Sequence, residues 1–191
     1  MIIRDRQVVA TTGDPPLTTA VAKAHLNVVH DEDNALIAAL ASAAVAEFEA
    51  VTGMKLRSET REATFDRFPG SSAGCLTLPN RPVTSVSSVK YFDTANVEQT
   101  LVADTDYQVT LGFQAKVLVG PDKAWPSVKA GKAEPVAVRY VVGGTVPDDV
   151  LGALKLMVGE RYENRGDSVK AKDVPPAARR VMELHSTSTP G

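Results

Sequence analysis

The spacing of apolar residues changes twice along this chain of 191 residues. Near the N-terminus they recur every three or four positions, the spacing of a helix that packs one face into a core. Between residues 58 and 142 they alternate with polar residues, and glycine or proline follows roughly every eight to twelve residues, which is typical of short strands joined by turns. Helical spacing returns at Pro147. This order of elements predicts an α+β fold.

The first helical zone is expected to hold a short helix and a long one. Thr18 or Thr19 can cap the short helix. The long helix follows the acidic turn at residues 30–34 and ends at Gly53, because glycine readily adopts the left-handed conformation that ends many helices. Its predicted core stripe consists of Leu36, Ile37, Leu40, Ala44, Phe48 and Val51.

The middle zone is predicted to form strands and the last zone a helix. About six short strands are expected in the middle zone, forming a small antiparallel sandwich or meander. In the last zone Pro147 is predicted at the first helical position, with Asp148 and Asp149 in the first turn. The apolar stripe of this helix is predicted to comprise Val150, Leu151, Leu154, Met157, Val158 and Tyr162.

A helical start and a helical end around a β-rich zone suggest one packing solution. Residues 15–57 and 146–168 are expected to form a helical core, with residues 58–145 as an inserted antiparallel β sub-domain. Residues 1–14 are interpreted as an N-terminal arm. Residues 169–191 are interpreted as a flexible C-terminal segment containing one further short helical stretch, because they are rich in polar residues and proline.

Charge and hydropathy exclude several classes of protein. The net charge is −2, without the excess or stripe of lysine and arginine that a phosphate backbone selects. The N-terminus lacks the apolar core of a signal peptide. The longest apolar stretch, residues 35–46, is shorter than the ~20 residues of a membrane span. A soluble protein without a membrane partner is therefore expected, and the single cysteine, Cys75, fits a reducing compartment.

The residues of known catalytic motifs are not arranged as catalysis requires. The three histidines, His25, His30 and His185, are not accompanied by a Gly-x-Ser-x-Gly nucleophile elbow. Gly143 and Gly144 lack the spacing of a dinucleotide-binding loop and the Gly-Lys-Ser of a P-loop. The chain is therefore predicted not to be an enzyme and to need no cofactor.

Two acidic clusters could in principle bind a metal ion. One contains His30, Asp31 and Asp33, and the other contains Asp104 and Asp106. Neither supplies both the central glycine and the bidentate glutamate of an EF-hand loop. Helix capping is the favoured interpretation of the first cluster and a turn before a strand that of the second, so no metal is expected.

Candidate interaction residues are concentrated near the C-terminus. The only tryptophan is interpreted as a core plug, with an exposed interface anchor as the alternative. At the end of the last long helix the tyrosine is expected to pack, while the charged residues face water or a neighbouring subunit. The predicted interface residues are Trp125, Arg161, Tyr162, Arg165, Arg179, Arg180, Met182 and Leu184.

The ordered set of motifs resembles one known family. The stretch PPLTTAVAKAHLNVVHDEDNALIAALASAAVAEFEAVTGMKL is similar to the N-terminal signature of head–tail connector proteins, or adaptors, of tailed phages. LPNRPVTSVSSVKYFD, DTDYQV, KAWPS and VRYVVGGTVPDDVLGALKLMVGERYENRGD resemble later landmarks of the longer members, in the same order. The resemblance spans roughly residues 14–168 and does not extend to the C-terminal tail.

This resemblance implies a structural role without catalytic residues. Such adaptors form a ring, commonly of twelve copies, under the portal protein of a phage or a phage-like gene-transfer particle and join it to the next neck protein. DNA passes through the channel without sequence-specific binding, and assembly takes place in the bacterial cytoplasm. On this basis residues 170–185 are expected to order against the portal, and deleting residues 170–191 to abolish attachment while leaving the fold intact. A stopper or tail-completion protein, and less plausibly a small binding module, are the alternatives.

Overall fold

A computed structural model of the chain describes residues 3–70, 74–165 and 174–186. These residues form four helices and eight strands, so the predicted α+β class is confirmed. The chain divides into two compact units. The β unit comprises Met1–Thr12 and Ser58–Gly143, and the helical unit comprises Gly13–Arg57 and Gly144–Gly191.

The helices of the helical unit are α1 (Thr19–Leu26), α2 (Asn34–Thr52), α3 (Asp148–Glu163) and α4 (Pro176–His185). Thr18 caps α1, since its hydroxyl accepts a hydrogen bond from the backbone N–H of Val21 at 3.3 Å. Gly53 ends α2 with a φ of 70°, as predicted. Pro147 is extended and serves as the N-cap of α3, so this helix starts one residue later than its sequence predicts.

All four helices contribute to one apolar core. Its buried residues are Leu17, Ala22, Ile37, Ala41, Ala44, Phe48, Met54, Leu56, Val150, Ala153, Leu154, Met157, Val158, Ala178 and Met182. The buried side of α2 is rotated from the predicted stripe. Val51 is 53% exposed, whereas Ala41 is buried in the core and Thr52 is buried as well. A small side chain such as Ala41 therefore occupies the core, while Val51, which the apolar pattern placed in the core, is exposed.

Helix α2 is also the one described helix whose length and mean hydropathy of 1.6 would suffice for a membrane span. The apolar stretch at residues 35–46 is only part of this helix, which continues to Thr52 as its sequence predicts. A core helix of a soluble protein meets the same criterion, and α2 supplies Ile37, Ala44 and Phe48 to the core. Only 28% of its apolar window is buried within the chain.

The strands are β1 (Ile3–Thr12), β2 (Ser58–Phe65), β3 (Cys75–Thr77), β4 (Val83–Phe92), β5 (Glu98–Leu101), β6 (Tyr107–Thr110), β7 (Lys116–Val119) and β8 (Val136–Val142). They form a five-stranded sheet in the order β1-β2-β8-β4-β5 and a three-stranded sheet in the order β3-β7-β6. Every strand pairing in both sheets is antiparallel. Side chains from both sheets share one core, including Phe65, Leu76, Val89, Tyr107, Val117, Val136, Val138, Tyr140 and Val142.

The predicted N-terminal arm is instead the edge strand of the larger sheet. In the described part of residues 1–14, β1 pairs with β2 from Ile3↔Phe65 to Thr12↔Ser58. The side chains from Gln7 to Thr12 are all exposed. An edge strand exposed in this way has no apolar alternation, so its sequence does not reveal it.

The interpretation of residues 169–191 as a flexible segment also needs correction. Helix α4 lies within this range, and its Ala178 and Met182 are buried in the helical core. Two buried side chains in ten residues are too few to distinguish a packed helix from a solvated one by sequence. Residues 169–173 and 187–191 lie outside the described part of the chain.

Replacing Phe48 tests the helical core. Phe48 is completely buried on α2. We expect Phe48→Ala to lower the unfolding free energy of the helical unit by about 3–5 kcal/mol, because a large apolar contact is lost and a cavity remains. Hydrogen exchange of peptides from α2 and α3 measures the loss. Val51→Ala on the exposed side is the control, with an expected change below about 0.5 kcal/mol. Equal effects of the two substitutions would contradict this assignment of the buried face.

Candidate protein-interaction surface

A polar clamp joins the end of α3 to the start of α2. The hydroxyl of Tyr162 donates a hydrogen bond to the carboxylate of Asp33, which directly precedes α2. Arg165 lies 3.4 Å from the same carboxylate, measured from Nη1 to Oδ2. Its guanidinium carbon is also 4.4 Å from the centroid of the Tyr162 ring. This clamp keeps Tyr162 and Arg165 engaged within their own subunit.

A second ion pair links the same two helices. The guanidinium of Arg161 bonds to the carboxylate of Glu47 in the middle of α2, and both side chains are partly buried. Arg161, Tyr162 and Arg165 therefore all contact residues of the helical unit. As predicted, Tyr162 packs, since it lies against the helical core.

The clamp shifts the pKa values of its two central groups. The hydrogen bond from Tyr162 is the largest cause that lowers the pKa of the Asp33 carboxyl, and the positive charge of Arg165 lowers it further. The same hydrogen bond raises the pKa of the Tyr162 hydroxyl. Both shifts favour the pairing of an ionised carboxylate with a neutral phenol.

The C-terminal end of α4 is attached to the first turn of α3. Nε2 of His185 lies 2.8 Å from Oδ2 of Asp149, in the first turn of α3. The hydrogen bond to His185 lowers the pKa of Asp149. Together with the buried Ala178 and Met182, this contact holds α4 against the helical unit.

The opposite side of α4 is exposed. Arg179 and Arg180 lie there, and Leu184 is 70% exposed. A surface cavity of about 340 Å³ is lined by Val174, Pro176, Arg179, Arg180 and Glu183. Met182 differs from the other three predicted α4 residues, because it is only 3% exposed and belongs to the core. Met182 was predicted as an interface residue because its side chain is apolar, and the same apolar character explains why it is buried in the core.

Trp125 supports the core of the β unit. Its half-buried ring stacks on Phe68, with centroids 4.7 Å apart and planes 7° from parallel. Its indole N–H donates to the carbonyl oxygen of Gly74 at 3.4 Å. These contacts agree with the interpretation of Trp125 as a residue that fills the core. They do not support its interpretation as an exposed anchor of an interface.

The two acidic clusters make contacts within the chain. The predicted capping of α2 by the first cluster is wrong for Asp33, whose side chain makes no cap hydrogen bond and instead accepts one from Tyr162. In the first, Asp31 pairs with Lys23 at 2.6 Å and His30 with Glu32 at 2.8 Å. In the second, Oδ2 of Asp106 accepts the backbone N–H of Val102 at 2.8 Å. Within residues 3–70, 74–165 and 174–186, no three His, Cys, Asp or Glu side chains are grouped so that they could hold a metal ion.

The structure also exposes apolar residues that the sequence analysis did not single out. Leu111 and Phe113 are each about half exposed and flank Gly112, which forms two backbone hydrogen bonds with Val83. Val29, between α1 and α2, is 94% exposed. The sequence shows only that these apolar residues lie in turns. Apolar residues in turns are often buried, so their exposure could not be predicted.

The fold defines the class as a two-unit α+β protein with a helical unit and an inserted antiparallel β unit. Searches found no matching family model and no matching curated protein. Three solved chains share the fold over nearly their whole length. They come from the virion of a native gene transfer agent (GTA) particle, the neck of an empty GTA particle computed with C6 symmetry, and the neck of a native GTA particle computed with C12 symmetry.

The likeness is extensive in structure and low in sequence. The TM-scores are 0.73, 0.75 and 0.66, with identities of 21%, 21% and 22%, in the same order. The alignments cover 96%, 97% and 98% of this chain and 95%, 96% and 96% of the others. The whole two-unit architecture, including both the helical and the β elements, is therefore shared with chains of these particles.

The polar clamp predicts a pH dependence for the contribution of Tyr162. The lowered pKa of Asp33 gives stability above its ordinary value of 3.8, which is lost as the pH falls through the folded-state value. The raised pKa of Tyr162 gives stability below its ordinary value of 10.0, which is lost as the pH rises through the folded-state value. The destabilisation by Tyr162→Phe should thus be largest between about pH 4 and pH 10.

Urea unfolding of both proteins across this pH range measures the difference. Tyr91→Phe in β4 is the matched control, because no hydrogen bond of its hydroxyl is found in the described residues. The control should show a small difference without this dependence on pH. A Tyr162→Phe effect that is the same at pH 3, 7 and 11 would rule out the clamp as its cause.

Proposed function

We propose that this chain is a structural protein of the neck of a tailed-phage or phage-like gene-transfer particle. In this role it is an adaptor that forms a ring under the portal protein and joins it to the next neck protein. The observation that carries the proposal is the fold shared with GTA neck and virion chains over at least 95% of both partners. A match of this extent includes the β unit as well as the helices. A match restricted to the helices would be weaker support, because helical bundles occur in many unrelated proteins.

A ring is supported by the symmetry of the related particles. Two of the similar chains belong to necks computed with C6 and C12 symmetry. In a closed ring each subunit uses two different surfaces, one for each neighbour. We propose twelve copies, with α2 and α3 lining the ring. The large share of α2 that is not buried in its own subunit supports a position at a subunit contact.

The charge of the chain suits a passive channel wall. With a net charge of −2 it has no general attraction for a phosphate backbone, so DNA can pass without being retained. We propose that the β unit faces outward or toward the next neck protein, and that the exposed side of α4 faces the portal. The particle neck is then the site of action, after assembly in the bacterial cytoplasm.

The earlier expectation for the C-terminal deletion has to change. Removing residues 170–191 would remove Ala178 and Met182 from the core and break the His185–Asp149 contact. The deletion would therefore damage the fold as well as the proposed attachment site. Substitutions on the exposed side of α4 separate the two effects, because they leave the buried residues in place.

A stopper or tail-completion protein is the second candidate within the same class. Such a protein would lie one layer further from the portal. The shared fold supports both positions, because the similar chains are described only as parts of the virion or of the neck. Contacts with the portal distinguish them.

The composition of purified particles tests the proposal. We expect about a dozen copies per particle by quantitative peptide mass spectrometry, since a ring symmetric with a twelvefold neck requires that number. Chemical crosslinking should connect the chain to the portal protein. Crosslinks to neck proteins without any to the portal would favour the stopper position. Absence from particles, with the protein free in the cytoplasm, would refute a structural role.

A further inference from the structure

Two neighbouring arginines on α4 have no partner within the described part of the chain. Arg179 and Arg180 form no ion pair, hydrogen bond or ring contact there. Every other arginine with a described side chain contacts a polar or aromatic group of its own subunit, namely Arg57, Arg61, Arg67, Arg81, Arg139, Arg161 and Arg165. Two adjacent guanidinium groups that form no ion pair with the described residues therefore distinguish this surface.

The arginines line an open depression of the surface. The cavity of about 340 Å³ has Val174 and Pro176 as apolar walls and Glu183 at one side. Leu184 follows Arg180 by four residues, so it lies on the same side of the helix and is 70% exposed. The surface thus offers both cationic donors and apolar contact area.

The helix that carries this surface is packed against its own subunit. Ala178 and Met182 anchor α4 in the core, and the contact of His185 with Asp149 holds its last turn. A partner would not need to order the backbone on binding, which lowers the entropic cost of association.

Guanidinium groups recognise carboxylates and phosphates through paired hydrogen bonds. The net negative charge of the helical unit disfavours a long polyanion as the partner. Its two segments, Gly13–Arg57 and Gly144–Gly191, contain 10 basic and 13 acidic residues, a balance of 10 − 13 = −3. Glu183 also lies beside the arginines. Such a surface can accept one or two carboxylates, whereas a continuous phosphodiester backbone needs an extended basic surface.

We infer that the exposed side of α4 binds an acidic segment of a partner protein, in which carboxylate side chains alternate with apolar ones. The carboxylates bond to Arg179 and Arg180, and the apolar residues contact Val174, Pro176 and Leu184. The inference rests on the proposed function only in placing the partner in the particle neck, because the binding chemistry follows from the surface itself.

Peptide binding tests the chemistry with the purified full-length chain. The probe is a fluorescein-labelled peptide with two Glu-Leu pairs flanked by Gly and Ser, and its counterpart carries Gln in place of Glu. Fluorescence anisotropy at low ionic strength should show binding of the Glu peptide about tenfold tighter than that of the Gln peptide, as expected for charge-assisted bonds with little screening.

Variants assign that binding to the two arginines. R179Q/R180Q should weaken it about tenfold, and R179K/R180K should lose less because it keeps both charges. K116Q/K123Q on the β unit is the control with the same change in net charge, and it should bind like the wild type. Circular dichroism checks that each variant is folded. Equal affinity for the two peptides, or unchanged binding by R179Q/R180Q, would overturn the inference. So would arginine-dependent binding of a short DNA duplex in preference to the peptide.

Crosslinking in particles tests the partner. A photoreactive amino acid placed at Leu184 should crosslink to another protein of the particle, at a segment with two or more acidic residues. A crosslink to DNA, to a second copy of this chain or to a segment without carboxylates would overturn the inference and leave the neck role intact. Absence of the chain from particles would refute the neck role, and the peptide assay would still decide the chemistry of the surface.

Discussion

The antiparallel pairing of β1, β2 and β8 is the constraint on which the division into two units depends. Thr12 at the end of β1 pairs with Ser58 at the start of β2, and Glu59 pairs with Val142 at the end of β8. The three chain connections between the units therefore leave from neighbouring strands. The helical ends of these connections are also joined, since Arg57 donates to the carbonyl oxygen of Gly13 and the N–H of Gly144 lies 3.2 Å from the carbonyl oxygen of Leu56. Each unit can thus complete its own core.

Much of this architecture follows from local signals in the sequence. The α+β class, a threonine cap at position 18 or 19 and the helix end at Gly53 depend on interactions within a few residues, so they could be predicted. Strand β1 could not, because its partner β2 lies more than 40 residues away and its exposed side chains carry no apolar pattern. The packing of α4 was missed for a similar reason. It depends on Ala178 and Met182 reaching a core made by residues distant in sequence.

The same limit applied to the interaction surface. The sequence indicates a charged helix end and a basic C-terminal helix. It does not distinguish contacts within one subunit from contacts with a neighbouring protein. Arg161 and Glu47 are 114 residues apart, so their pairing was not visible in the sequence. The structure assigns Arg161, Tyr162 and Arg165 to the joint between α2 and α3. It leaves Arg179 and Arg180 without a described partner, which separates structural charges from those available for recognition.

The neighbouring connections have a consequence for how proteins of this fold can vary in length. Because the chain leaves and re-enters the helical unit within one backbone hydrogen bond of Leu56 and Gly144, a short loop across that gap would close the helical unit without moving a helix. Changes in the β unit between residues 58 and 143 can therefore leave the helical core intact, as long as β1 keeps a partner strand in the altered unit. The helical unit would keep its core, while the inserted unit diverges to fit a different neighbour.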